Sequence, residues 1–147
     1  MCYFLYGGIN EGVDTKELEK AESNSGYRFS VVSEESIKRF IRIGYGGYEI
    51  TPGCHCNCGT AVGSREELEK ESKWGEEQEK ELEELAGHIR LLRTVKNAKH
   101  IYISKSWIDD ETHKECTLHI EDVDLAQFLG DIEERCLYKI QLYKRDY

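Results

Sequence analysis

Apolar and polar positions follow two different periods along this chain, and the switches between them mark its elements. Residues 2–9 carry apolar side chains on both faces, which predicts a strand lying inside its sheet. Asp14 followed by Glu17 has the pattern of a helix start, predicting a short surface helix over residues 14–22 that Gly26 ends. Tyr27, Phe29 and Val31 then alternate with Arg28 and Ser30, the period of a strand. Two strands joined by a helix predict a βαβ unit with a right-handed crossover. Over residues 33–43, Ile37, Phe40 and Ile41 fall at helical spacing, and helix is preferred to strand. Gly44, Gly46 and Gly47 interrupt this regularity, residues 48–50 fit a short strand, and Pro52-Gly53 leads into a cysteine cluster.

Ser64 with Glu67 forms a capping-box pattern that opens the longest helical region, which Gly75 divides. Leu82, Leu85, Ile89 and Leu92 make a narrow apolar stripe, so the second half is expected to dock on the sheet and the first to project into solvent. Residues 100–107 and 114–120 alternate as strands, with Ile101, Ile103, Cys116, Leu118 and Ile120 inward; Asp109-Asp110 between them reads as the turn of a hairpin. Asp122 or Asp124 caps a helix with the stripe Leu125, Phe128, Leu129 and Ile132. A last strand puts Cys136, Tyr138, Ile140 and Leu142 on one face. The sum is an α+β (or α/β) chain: one domain over residues 1–147, a single mixed β-sheet with helices packed on it, closing in a C-terminal β-β-α-β unit.

Composition narrows the function classes. A chain of 147 residues is long enough to bury one real core. No run of about 18 apolar residues is present, so no membrane partner is expected. The formal charge of −9 argues against nucleic acid, since a surface that tracks phosphates is built on a basic patch. Acids crowd residues 66–84, whereas Arg90, Arg93, Lys96 and Lys99 follow without one, a distribution that the dipole of a solvated helix favours. The amino end shows neither a basic region nor an apolar stretch of signal-peptide length, so the expected location is cytoplasmic and the six cysteines are expected to be reduced.

The densest chemistry is Cys54-His55-Cys56-Asn57-Cys58-Gly59. Zinc holds thiolates at about 2.3 Å in a tetrahedron. In extended chain Cys54 and Cys56 stand about 6.6 Å apart, near enough to converge, while Cys54 and Cys58 stand about 13 Å apart, too far for one ion. All three thiols therefore share a metal only if the segment curls, and Gly53, Asn57 and Gly59 are the residue types that permit it. Cys54, Cys56 and Cys58, with His55 as the neighbouring imidazole, are the candidate ligands of a zinc ion. The same C-x-C-x-C could instead run thiol exchange, because a disulfide between alternate cysteines closes a strained ring. Cys116 and Cys136, on strand faces, read as structural.

Two weaker constellations point to a small-ligand or nucleotide binder. Residues 59–64 run into a helix start where backbone amides could hold an anion, although Arg65 is the only cation nearby. If Asp109-Asp110 centres a hairpin, Tyr102, Ser104, Thr117 and His119 share a polar face, with His100 and His113 close by. The resulting expectation is a small cytoplasmic binding or regulatory module, its cysteine-rich segment binding zinc and its partner a protein or small molecule. The alternatives are a thiol-dependent redox protein or enzyme and a small-ligand or nucleotide binder. No catalytic signature decides whether it is an enzyme.

Overall fold

The strands are β1 (Tyr3–Asn10), β2 (Tyr27–Arg28), β3 (Ser30–Val32), β4 (Gly44–Tyr45), β5 (His100–Trp107), β6 (Lys114–His119) and β7 (Cys136–Gln141); the helices are α1 (Thr15–Glu22), α2 (Arg65–Lys70), α3 (Glu76–Leu92) and α4 (Leu125–Gly130). They belong to a computed structural model that describes residues 3–35, 44–45, 60–107 and 114–145. The helix expected over residues 33–43 therefore lies almost wholly outside the described residues, as do the strand at 48–50, Asp109-Asp110 and His113. Among the described residues the main sheet is mixed and five-stranded, in the order β3-β1-β5-β7-β6, and β2 pairs with β4 in a separate ladder.

β1 is interior, as its two apolar faces require. Leu5 and Ile9 are fully buried on the face that meets the helices, and Gly8 is buried on the other. A Cβ on Gly8 would stand 2.6 Å from Val32 Cγ2, so only glycine lets β3 come this close. β3 runs parallel to β1 (Ile9 opposite Val31), and α1 is the connection between them. Asp14 caps α1 by accepting a bond from the Glu17 amide at 3.0 Å, an interaction worth about 1 kcal/mol. The helix ends at Glu22, ahead of Gly26, because Ser23 turns back on the Lys20 carbonyl through both its amide and its hydroxyl.

The alternation expected through residues 27–31 breaks at Phe29. The Phe29 amide donates to the Glu22 carboxylate at 3.1 Å instead of joining a ladder, so one strand becomes two, and Val31 is 43% exposed while Val32 is buried. The hairpin of β5 and β6 also needs correction: the two do not pair, because β7 lies between them, antiparallel to β5 and parallel to β6. Burial explains the order. Residues 136–138 of β7 are all buried and demand neighbours on both sides, whereas Lys114, Glu115 and Thr117 of β6 are exposed and suit an edge.

Leu82, Leu85, Ile89 and Leu92 of α3 are fully buried and share one apolar cluster with Leu5, Ile9, Ile101, Ile103, Leu129 and Ile140. Burying each such side chain contributes about 1.5–3 kcal/mol. α2 buries none of its residues. It is held by Arg65, whose guanidinium meets Asp131 at 3.0 Å and Glu79 at 3.1 Å and lies 4.7 Å from the Trp74 ring centre. Among the described residues no helix is long and apolar enough to cross a membrane.

Candidate functional site

The candidate ligands Cys54, His55, Cys56 and Cys58 lie outside the described residues. The segment from Thr60 to Ser64, next in the chain, is fixed tightly. The Thr60 hydroxyl donates to Glu81 Oε2, the Ala61 amide donates to the same oxygen at 2.7 Å, and the Val62 amide reaches Thr60 Oγ1 at 3.2 Å. Gly63 donates to the Leu129 carbonyl at 2.8 Å, and the Ser64 amide donates to Ala61 at 3.2 Å. Each amide from 61 to 64 is thus spent on an acceptor of the same chain, and the anion this segment cradles is the carboxylate of Glu81. Burial pushes that carboxyl above its usual range, opposed by the Thr60 hydroxyl, the amides and Lys105.

Lys105, buried at the far end of β5, locks the same segment: its Nζ donates to the Val62 carbonyl at 2.9 Å and to Ser64 Oγ at 2.6 Å. The expected capping box at Ser64 and Glu67 does not form for this reason, the serine hydroxyl facing Lys105 rather than the helix amides. Gly63 has φ +69°, and a Cβ there would stand 3.0 Å from both Lys105 Cδ and the Ile132 carbonyl, so the turn specifies glycine twice over.

This end of the sheet is also where three strands begin. Leu5 of β1 lies opposite Lys105, the Arg135 amide donates to the Lys105 carbonyl at 3.0 Å, and Lys114 at the start of β6 faces Cys136 at the start of β7. Cys136 is buried and Cys116 half-buried on the same sheet face. Adjacent strands with a two-residue offset separate their Cα atoms by about 8 Å, beyond the roughly 7 Å that a disulfide spans. Burial pushes the Cys136 thiol up, with Glu133 Oε2 3.7 Å from its sulfur, so it is protonated at neutral pH and behaves as the structural residue expected. Tyr138 beside it is pushed up to about 12, chiefly by burial. Among the described residues no group of three or more His, Cys, Asp or Glu side chains is arranged to hold a metal.

The polar face expected for the hairpin is rearranged by β7. Lys139 comes between Tyr102 and Thr117, which share its row without being neighbours. Tyr102 and His100 do meet, phenol oxygen to Nε2 at 2.9 Å, and Lys139 pairs with Glu34 at 3.5 Å. Burial first and Lys139 second hold His100 below the usual imidazole range. Ser104 is fully buried. His119 serves the backbone, its Nδ1 accepting from the Glu121 amide at 3.1 Å and its Nε2 meeting the Tyr143 carbonyl at 2.7 Å.

A further constellation is not anticipated by the sequence patterns. His88 of α3 is buried with its Nδ1 2.7 Å from Ser25 Oγ and its Nε2 2.7 Å from Glu22 Oε2. The signal was present, since His88 falls three residues after Leu85 and four before Leu92, inside the apolar stripe. A polar residue there must find buried partners, yet Ser25 and Glu22 come from a different helix and its turn. Comparison with protein-family models, curated proteins and solved structures finds no match for this chain.

Proposed function

We propose that this protein is a small cytoplasmic binding module whose cysteine-rich segment holds one zinc ion through Cys54, Cys56, Cys58 and His55. The observation that carries the reading is the double latch on residues 60–64. Glu81 and Lys105 pin this segment at the end of the sheet where β1, β6 and β7 begin, and Cys58 stands two residues before Thr60 in the chain. Two residues reach at most about 7 Å, so a rigid platform adjoins the motif. Structural zinc sites gain from such pre-organisation, because the ligands must be gathered and deprotonated before the metal repays the cost. Zinc there would fix a surface feature on a domain whose α2 and α3 present exposed Glu67, Glu69, Glu76, Glu77, Glu83 and Glu84, acids suited to a basic protein partner rather than to nucleic acid.

Elemental analysis of protein purified without added metal tests this reading. The expected content is about one zinc per chain, falling to background in the triple variant C54S/C56S/C58S while the circular-dichroism melt of the domain persists. Zinc far below one per chain in the native protein, or zinc unchanged in the triple variant, overturns it.

A further inference from the structure

The geometry points to a second site: we propose that Ser25, His88 and Glu22 form a nucleophilic relay able to take an acyl group from an activated carboxylic ester. Three observations carry it. The contacts run in series, hydroxyl to imidazole to carboxylate, at 2.7 Å each, with the imidazole bridging a nucleophile and an orienting acid. The side chains of His88 and Glu22 are only 2% and 4% exposed, so their bond lies in surroundings of low dielectric, whereas Ser25 is half-buried between the exposed Asn24 and Gly26. The ring of His88 is also held in place, stacked on Phe29 at 5.6 Å and tilted against Tyr27 at 5.7 Å between centroids.

The turn itself is braced. The Tyr27 amide donates to Ser25 Oγ at 3.1 Å, which leaves the hydroxyl proton for His88 Nδ1. Arg28 Nη1 donates to the carbonyls of Ser25 and Tyr27 at 2.6 and 2.8 Å, while its Nε and Nη2 bond to no described residue. That guanidinium sits on the carbonyl of the nucleophile's own residue and is the group assigned here to the oxyanion that develops during attack. In the step, Ser25 Oγ bonds to the carbonyl carbon and its proton passes to Nδ1. The ester C–O bond breaks and the departing alkoxide takes that proton. Water then attacks the acyl-serine, gives a proton to Nδ1 and releases the acid, restoring the hydroxyl. Glu22, which touches no reactant, is a positioning residue: it fixes the ring and stabilises the imidazolium.

A fluorophosphonate probe tests the proposal, read by intact mass and peptide mapping. The expected result is one adduct per chain, on Ser25, absent in S25A and formed at least about 100-fold more slowly in H88N. In E22Q the rate should fall at least about 10-fold, because the ring has lost the carboxylate that orients it, and E22D, which keeps a carboxylate, should recover part of that loss. Labelling no greater than in S25A overturns the proposal, and so does a native adduct that peptide mapping places on any residue but Ser25, a readout that needs no variant to fold.

Discussion

His100 packs edge-on against Tyr102, ring centroids 5.1 Å apart, and shares a hydrogen bond with the phenol. Partial burial and Lys139 disfavour its protonated form, so the folded state binds this proton more weakly than the unfolded chain. The stability it contributes is complete above the ordinary imidazole value of about 6.5 and drains away as pH falls through that value toward the lower one of the folded state. Thermal melts should therefore show the native protein losing stability more steeply than His100→Gln between about pH 7 and pH 5; parallel curves would contradict this account. Single residues were unevenly legible in the sequence. The Asp14 cap was plain because its partner lies three residues away, whereas the role of Ser64 was hidden because Lys105, the donor that captures its hydroxyl, is 41 positions along the chain.

Elements with a complete apolar stripe were readable, α3 above all, since a helix face needs no knowledge of its partner to be recognised. Strand neighbours were not. β6 and β7 each carried a clear period of two, but which strand takes the interior position depends on competition for burial across the whole sheet, and that pairing is not written in either strand alone. The joint between β5 and the segment at 60–64 is similarly non-local, and it gives an element-scale prediction. Lys105→Met fills much of the same space but leaves the Val62 carbonyl and the Glu81 carboxylate without their buried cation. The expected cost is about 2–4 kcal/mol in urea unfolding, together with faster proteolytic cleavage near residue 60; a variant as stable and as resistant as the native protein would show that the latch contributes nothing.

At the scale of the molecule, one apolar cluster takes residues from β1, α1, α3, β5, α4 and β7 together. A second, smaller cluster of Val32, Tyr102 and Leu137 sits on the other face of the same sheet and shares its strands, so far-ultraviolet circular dichroism and tryptophan fluorescence should report a single coincident thermal transition, and two separated midpoints would refute that expectation. The mixed, one-layer sheet with helices on it was recoverable from the sequence; its internal order was not, because β1 finds its antiparallel partner only in β5. Ile9 and Ile101 face each other across more than ninety residues of chain. A ribosome adding about 5–20 residues each second would leave β1 waiting roughly 5–20 s for the strand that completes its ladder, with Leu5 and Ile9 still unsheltered. The apolar face of β1 is consequently left open to chaperone binding for that interval of synthesis.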